Sequence, residues 1–441
     1  MNKTAKFFIT SIITLVIGFL IGYLILGSYI TSDLEFYVVG GDTNVGLGNK
    51  YEEKGVVCNI KGVDYSEDVT VVYYNCFNEQ VDKIATDIVT SYYVEYKISA
   101  SGINATIIRV VNIVEMEDLE INFMMWGNDK AGDCIYIKAG DTDILVDAGP
   151  NASVATTIKE YLFDSTSDLH SYVDDNKLEY VIATHAHEDH IGAFAGDSNG
   201  ILVDNNIQIG TIIEFAGTNS NSKVYQKYRN AVNTLENNGT SVYTAKECYY
   251  NVNGASKVIE LAVGIELEIL YNEYYDKKAS NENDYSVCFM LRRGEDQFLF
   301  TGDLEAEAEG LLVDNNKLGE VYLYKMGHHG SNTSSSKKLL QAIKPKVAVG
   351  TCVAFSTQYT SISANTFPTQ QTITNLYLSG VKEIYVPYMV SNNKEGFEPA
   401  NGHIVVKANN QGTYVDCSVT NKNFIEFDVF KEYRRWGSIF N

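Results

Sequence analysis

The feature that most constrains this chain is a cluster of metal-ligand side chains at the end of a predicted strand. The apolar run YVIAT is followed by HAHEDHIGA, in which His185, His187, Asp189 and His190 fall within six residues. Alternate side chains of an extended segment point to the same side, so His185 and His187 can bind one ion together. The next turn brings Asp189 and His190 toward a second position. This pattern predicts a site for a borderline divalent ion such as Zn²⁺ or Mn²⁺.

Three further strand-like runs end in residues suited to the same chemistry. The run DTDILVDAGP brings Asp147 to a loop, where a carboxylate can orient the ligands of a neighbouring site, although such strand ends are often plain turns. QFLFTGDLE places Asp303 directly after a buried strand. VYLYKMGHHGSNTSS does the same for His328 and His329, and at least one of them is predicted to reach the ions or the leaving group. The sequence does not distinguish between these two histidines.

The order of the predicted elements divides the chain into regions of different class. From about residue 117 to 417, strand-like and helix-like runs alternate, which predicts an α/β layered domain. Residues 33–116 contain short runs rich in β-branched and aromatic residues, separated by turn residues, and these predict a small β-sandwich. Residues 418–441 are a tail for which we predict a packing helix or strand, with an amphipathic membrane-contacting segment as the alternative.

Residues 1–32 are predicted to be a membrane anchor. No charged residue occurs from Phe7 to Ser32, and a helix of this length can cross roughly 30 Å of hydrocarbon. The apolar core of a cleaved secretory signal is shorter, about 7–15 residues, so an uncleaved anchor is favoured over secretion. Lysines precede the span and acidic residues follow it, which predicts a cytoplasmic N-terminus. We therefore expect a single-pass protein of the cell membrane whose bulk is extracytoplasmic.

The composition limits the partners that this chain can bind. Its net charge of -22 disfavours stable nucleic-acid binding through a basic face, so a phosphate substrate has to be met locally by metal. The seven cysteines include no CxxC pair, and this excludes a zinc knuckle. Whether Cys58 and Cys76 form a disulfide is left open by the sequence.

The motifs GDCIYI, ILVDAG, THAHEDHIGA, NENDYSVCFML, LFTGDLE and KMGHHGS together resemble the extracytoplasmic hydrolase domain of the ComEC DNA-uptake proteins, a branch of the metallo-β-lactamase superfamily. The resemblance implies an αβ/βα sandwich that holds one or two divalent ions. The ligands that it implies are His185, His187, Asp189, His190, Asp303 and His328. It also implies that Asp303 bridges two ions, that Asp189 steers the attacking water, and that His328 or His329 protonates the departing oxygen.

Two departures from this pattern concern the second ion. ComEC relatives usually have a His-Pro pair before the last helix, but here Phe367 precedes Pro368. In addition, no histidine lies between His190 and His328. We therefore expect either a weakly held second ion or a site that works with one. His403 is a further candidate ligand, although we favour its being a strand residue without that role.

The small β unit has a resemblance of its own. The segments YEEKGVVCNIKGVDYSEDVTVVY and YYVEYKISASGINATIIRVVNIVE are similar to the Ig-like repeats of bacterial surface proteins, where such modules act as spacers or adhesive units. A spacer is the interpretation that we favour for residues 33–116.

The function expected from the sequence is that of a membrane-anchored, extracytoplasmic, metal-dependent hydrolase. The resemblance favours phosphodiester cleavage of the nuclease or phosphodiesterase type. One alternative is an esterase or lactonase, or a phosphoesterase acting on wall polymers or lipid headgroups. Another is a non-catalytic surface binding protein, which the absence of a histidine before Pro368 favours and the intact HAHEDH and TGD motifs disfavour.

Overall fold

The computed structural model describes residues 28–30, 33–39, 41–126, 130–196, 198–391 and 396–437. The chain divides into two units, Met1–Glu115 and Met116–Asn441. The predicted division lies between residues 116 and 117.

The first unit is built from strands in its described residues. These are β1 (Ser28–Ile30), β2 (Leu34–Val38), β3 (Thr43–Gly46), β4 (Val56–Ile60), β5 (Val63–Asp64), β6 (Thr70–Tyr74), β7 (Gln80–Val81), β8 (Thr90–Ala100) and β9 (Ile103–Val114). One sheet has the order β1-β2-β4-β5 and the other β3-β9-β8-β6-β7. Alternate residues of β8, among them Val94 and Tyr96, are buried with Phe36 of β2 in a common core. An all-β unit is therefore present, and its kinship to Ig-like modules stays a prediction.

The end of the predicted membrane span differs from the expectation. Residues 28–30 are not helical but form β1, because their backbone pairs with residues 35–37 of β2. The rest of the predicted span, residues 7–27 and 31–32, lies outside the described residues. Within the described part of the chain, no helix combines the length and the apolar character needed to cross a membrane.

The second unit is a mixed α/β domain, which confirms the predicted class. Its strands are β10 (Leu119–Phe123), β11 (Ile135–Ala139), β12 (Thr142–Val146), β13 (Lys177–Ala183), β14 (Gln208–Glu214), β15 (Ser241–Thr244), β16 (Val258–Ala262), β17 (Ile265–Ile269), β18 (Phe289–Arg293), β19 (Asp296–Phe300), β20 (Leu323–Lys325), β21 (Val347–Val349), β22 (Val353–Ala354), β23 (Glu383–Tyr385), β24 (Tyr388–Val390), β25 (Phe397–Pro399), β26 (Ile404–Asn409) and β27 (Gly412–Cys417). Its helices are α1 (Ala155–Leu162), α2 (Glu188–Ile191), α3 (Lys223–Asn237), α4 (Ala245–Tyr250), α5 (Ala306–Asn315), α6 (Lys337–Ile343), α7 (Gln370–Ser379) and α8 (Asp428–Tyr433).

Two large sheets organise this unit. The first has the order β15-β14-β13-β12-β11-β10-β26-β27 and the second β16-β17-β18-β19-β20-β21-β23, while β22, β24 and β25 form a small third sheet. One apolar cluster joins both large sheets, and in it the rings of Phe123 and Phe300 lie 6.5 Å apart. A second cluster packs leucines of α5, α6 and α7 against the second large sheet. In each large sheet the strands that lead to the predicted site residues run parallel, so their carboxyl ends share one edge.

The C-terminal tail packs within the second unit. Phe424, Val429, Phe430 and Arg434 are all buried, the first three in the apolar cluster of the second sheet. A helix, α8, is therefore present in the tail, and these covered apolar side chains favour the packing interpretation over the membrane-contacting one. All seven cysteines are free, including Cys58 and Cys76.

Candidate metal centre

Strands of both large sheets end at one site in the second unit. From the first sheet, β12 leads into Asp147 and β13 leads into His185 and the residues after it. From the second sheet, β19 leads into Asp303 and β20 leads into the two histidines of the GHHG turn. Side chains from the two sheets approach to hydrogen-bonding distance here, so residues more than a hundred positions apart in the chain meet at one place.

The backbone of the site adopts unusual conformations. Asp147, His328 and His329 have φ angles of 58°, 48° and 55°, in the left-handed region that side chains rarely occupy. Strained conformations persist only where the surrounding structure holds them in place, and they cluster at functional sites. Gly149 is needed for a different reason, since a Cβ atom there would lie 1.7 Å from the carbonyl oxygen of Asp189. The loop that contains Gly149 is thus in direct contact with the backbone of the loop that contains Asp189.

The Nε2 atoms of two histidines converge on two carboxylates. His190 Nε2 lies 3.1 Å from Asp303 Oδ2, and His329 Nε2 lies 3.4 Å from both Asp303 Oδ2 and Asp189 Oδ2. Although His329 Nε2 is buried, it has no hydrogen-bond partner of good geometry among the described residues. An orphaned ring nitrogen facing two carboxylate oxygens is what a divalent ion requires. The set Asp189, His190, Asp303 and His329 therefore fits a metal ion.

The Nδ1 atoms of the same two histidines face other carboxylates. His190 Nδ1 lies 2.7 Å from Asp147 Oδ2, and His329 Nδ1 lies 3.2 Å from Asp133 Oδ1. Carboxylates in this position fix the orientation and tautomer of metal-binding histidines. Asp133, His190, Asp303 and His329 offer donor atoms within 4.8 Å of one another. Since Asp133 meets His329 on the Nδ1 side, we assign it to orientation rather than to direct ligation.

A lysine lies within this group of acidic residues. Lys325, the last residue of β20, is 1% exposed, and its ammonium lies 2.5 Å from Asp133 Oδ2 and 3.3 Å from Asp303 Oδ1. It also donates to the carbonyl oxygen of Gly302 at 2.9 Å. The centre thus contains a fixed positive charge that belongs to the protein.

His185 and His187 form a second donor pair beside this set. His185 Nε2 and His187 Nδ1 are 2.9 Å apart, within hydrogen-bonding distance, so the two ring nitrogens lie on the same side of the segment. The ring of His185 lies 4.1 Å from that of His190. Burial holds the pKa of His185 well below its usual value, which keeps its imidazole neutral and able to donate an electron pair.

The two histidines of the GHHG turn have different surroundings. His329 is 1% exposed and faces Asp189 and Asp303. The side chain of His328 is 25% exposed, and its Nε2 is 4.0 Å from Asp303 Oδ2, while its Nδ1 is 2.8 Å from the hydroxyl of Thr333. The group of side chains that could hold an ion therefore includes His329, whereas the sequence-based ligand set named His328. Both residues have a left-handed backbone, which sequence spacing does not reveal.

Buried charges set the protonation of the metal-free site. Burial alone would raise the pKa of Asp303, but the neighbouring His190, His329 and Lys325 lower it well below its usual value. Conversely, burial lowers the pKa of His329, but Asp303 and Asp133 outweigh this effect and raise it to about 9. Protons on the histidines thus balance the ionised carboxylates, and a divalent ion would replace those protons.

Two aromatic residues line the open side of the site. The hydroxyl of Tyr359 donates to Asp189 Oδ2 at 3.0 Å, and its ring lies 5.4 Å from that of Phe367. Phe367 occupies the position where relatives of this pattern have a histidine, and its ring lies 6.4 Å from that of His329. Phenylalanine offers no donor atom to a metal ion, so the histidine that is absent before Pro368 is not replaced by another ligand at this position.

His403, the remaining candidate ligand, lies apart from the donor set. Its Nδ1 accepts a hydrogen bond from the backbone N–H of Met125 at 3.1 Å, and its ring lies 4.5 Å from that of Tyr161. Burial lowers its pKa to about 4. The structure therefore gives His403 a packing role next to β26, as favoured by the sequence analysis.

Comparison with known proteins shows similarity in part of this unit. Residues 127–196 match the Metallo-beta-lactamase superfamily. The chain is 37% identical over 68 residues to Recombination protein 2 of Haemophilus influenzae, which is 15% of this chain and 8% of that protein. It is 36% identical over 88 residues to Competence protein ComA of Neisseria gonorrhoeae, which is 20% of this chain and 12% of that protein.

A longer match covers more of the chain. The chain is 25% identical over 174 residues to ComE operon protein 3 of Bacillus subtilis, covering 39% of this chain and 20% of that protein. The chain therefore spans a fifth or less of the length of each of these relatives. These matches confirm the resemblance to the ComEC-like branch that the motifs indicated.

Proposed function

We propose that this chain, with its domain of the metallo-β-lactamase superfamily, is a metal-dependent hydrolase that cleaves phosphodiesters outside the cytoplasm. The observation that supports this proposal most strongly is the convergence of His190 Nε2, His329 Nε2 and the carboxylates of Asp189 and Asp303. A divalent ion held by these residues would supply a Lewis acid and lower the pKa of water toward about 7.

The protein side chains supply orientation and proton transfer. Asp189, whose Oδ2 is held by the Tyr359 hydroxyl, is placed to orient the attacking water. His328 stands at the partly exposed side of Asp303, and its Nδ1 is fixed by the Thr333 hydroxyl. We assign to His328 the transfer of a proton to the departing oxygen, since its Nε2 faces the centre without belonging to the ligand set.

The choice of phosphodiesters rests on the ComEC-like resemblance and on the donor chemistry. Asp189 and Asp303 provide hard oxygen donors, which suit ions that stabilise charge on phosphoryl oxygens. Fold alone does not define a substrate, so the choice is made from the donor atoms and the resemblance.

A specific observation favours a second candidate. The net charge of -22 repels long polyanions, so a short, lipid-linked or wall-bound ester suits the protein better than a free nucleic-acid chain. Hydrolysis of such an ester requires the same ligands and the same orientation of water. The two candidates therefore differ in substrate and share the chemistry.

We further propose that the N-terminal segment anchors the protein in the cell membrane, with the N-terminus in the cytoplasm. Since β1 begins at residue 28, the apolar segment available for a span is residues 7–27. A span needs about 20 apolar residues, which this segment provides. The β unit would then act as a spacer between membrane and hydrolase.

Hydrolysis of bis(p-nitrophenyl) phosphate by the purified full-length chain in detergent tests the proposed chemistry. We expect turnover that requires a divalent ion and is abolished by Asp303→Ala and by His329→Ala. Asp314→Ala is the matched control, because Asp314 is an exposed carboxylate of α5 that pairs with Lys338 at the surface. An absence of turnover with every divalent ion, despite bound metal, would reject phosphodiesters and favour the ester substrate or a binding role.

A further inference from the structure

Lys325 is buried inside the candidate metal centre. Its side chain is 1% exposed, and its ammonium has three oxygen neighbours: Asp133 Oδ2 at 2.5 Å, Gly302 O at 2.9 Å and Asp303 Oδ1 at 3.3 Å. Burying an ammonium is unfavourable unless it is paired and hydrogen-bonded, and this lysine is both. A positive charge held so firmly next to candidate metal ligands needs an explanation beyond packing.

The contact with Asp303 divides the two oxygens of that carboxylate. Oδ1 faces Lys325, while Oδ2 faces His190 Nε2 and His329 Nε2. Asp303 therefore has one oxygen free of the lysine to offer to metal ions. The same lysine holds Asp133, which in turn lies against Nδ1 of His329. Lys325 thus fixes one ligand directly and a second ligand through Asp133.

The neighbouring pair, His185 and His187, offers fewer ligands than the set formed by Asp189, His190, Asp303 and His329. His185 and His187 contribute two ring nitrogens, and no histidine of the sequence between His190 and His328 is available to add a third. An ion at this pair would depend on Asp303 for a negative ligand. Lys325 occupies one oxygen of that carboxylate and adds a positive charge that repels a further cation.

We propose that Lys325 is a positioning residue that restricts the centre to one tightly bound divalent ion, held by Asp189, His190, Asp303 and His329. The inference builds on the metal-dependent site of the proposed function but concerns the number of ions rather than the substrate. The ammonium takes the part that a second ion would otherwise take in balancing the carboxylates.

Metal binding measured without substrate tests this inference. The metal-free full-length chain is equilibrated with Mn²⁺ by dialysis, and the bound ions are counted by elemental analysis. We expect one tightly bound ion per wild-type chain. In Lys325→Met we expect the second ion to bind at least about tenfold more tightly, because a repelling charge is removed and Oδ1 of Asp303 is released. The control is Lys338→Met, which removes a surface lysine paired with Asp314.

A second variant covers the case in which Lys325→Met does not fold, because it leaves two buried carboxylates without their cation. The double variant Lys325→Met, Asp133→Asn removes one charge of each sign and still frees Oδ1 of Asp303. We expect it also to bind a second ion more tightly than the wild type. Two tight ions in the wild type, or an unchanged second affinity in whichever of these variants folds, would overturn the inference. No substrate is used in this measurement. The number of bound ions therefore tests the inference even if the protein does not hydrolyse phosphodiesters.

Discussion

The Nδ1 atom of His190 lies 2.7 Å from Oδ2 of Asp147, and this contact turns the opposite ring nitrogen toward Asp303. Asp147 is itself held by Thr184, whose backbone N–H and hydroxyl each donate to its carboxylate at 2.7 Å. Asp147 therefore determines the orientation of the candidate ligand His190, although it contacts the Nδ1 side of the ring and not the Nε2 side.

Weakening this contact is expected to weaken metal binding without removing a ligand. Asp147→Asn should lower the affinity for Mn²⁺ or Zn²⁺ by about 10–100-fold, the usual effect of losing a carboxylate that orients a metal-binding histidine. Equilibrium dialysis of the metal-free chain measures the effect. Asp141→Asn, at the exposed turn before β12, is the matched control and should bind metal as the wild type does. Equal affinities for Asp147→Asn and the wild type would contradict the assigned role.

Metal uptake should depend on pH through the histidines of the ligand set. Asp303 and Asp133 overcome the effect of burial and raise the pKa of His329 to about 9, so its ring is protonated at neutral pH in the metal-free protein. A divalent ion must displace this proton, and the metal affinity should therefore rise as the pH increases toward about 9. Titration calorimetry in two buffers of different ionisation enthalpy measures the released protons. If metal binding near pH 7 released no proton, the ion would not be displacing a proton from His329, and the prediction would be wrong.

The sequence predicted those parts of the site that lie at strand ends with recognisable neighbours. His185, His187, Asp189, His190 and Asp303 follow apolar runs, and the structure brings them to one place. The TGD and HAHEDH segments are local, so the physical reason for their positions is contained in a few consecutive residues. The predicted α/β class followed in the same way from alternating strand-like and helix-like runs.

The parts that the sequence did not predict depend on contacts between distant segments. Asp133 stands in the quoted motif GDCIYI, but its role becomes visible only when the GHHG turn places His329 Nδ1 next to it. Lys325 precedes that turn in a short strand, and a single lysine in a sequence is usually a surface residue. Tyr359 lies in a loop without a recognised motif. For Asp133 and Lys325, the signals available in the sequence were the motif GDC and the lysine before GHHG.

Glu309 of α5 supports the GHHG loop and should make stability depend on pH. Its carboxylate accepts hydrogen bonds from the backbone N–H groups of Ser335 and Ser336, each at 2.7 Å. Burial outweighs these bonds and raises its pKa from 4.5 to about 7. A raised pKa of an acid means that the folded state prefers the protonated form. The contribution is fully present below about pH 4.5 and is lost as the pH rises through about 7.

The variant Glu309→Gln isolates this contribution, because glutamine does not titrate. The free energy of unfolding of the wild type, relative to that of Glu309→Gln, should fall by roughly 3 kcal/mol between about pH 4.5 and about pH 8. Urea unfolding of both proteins across this range measures the difference. Parallel pH profiles would show that Glu309 has an ordinary pKa in the folded protein.

Arg434 connects the C-terminal tail to the loop that carries Phe367. Its guanidinium donates to the carbonyl oxygens of Pro368 at 2.7 Å and Ser363 at 3.2 Å, and also to that of Thr366. Arg434→Met leaves buried carbonyl groups unpaired, so we expect a loss of about 3 kcal/mol in the free energy of unfolding. The neighbouring Arg435 is exposed, and Arg435→Met should change stability by less than about 1 kcal/mol. Equal losses for the two variants in urea unfolding would contradict this account.

The most direct test of the central claim is a crystal structure of the zinc-loaded protein with anomalous diffraction recorded at the zinc edge. We expect the strongest peak between Nε2 of His190 and Nε2 of His329, with carboxylate oxygens of Asp189 and Asp303 as the other ligands. A strongest peak on the Nδ1 side, next to Asp133 and Asp147, would contradict the assignment of these two carboxylates to orientation. A protein that binds no zinc at this site would contradict the metal centre itself.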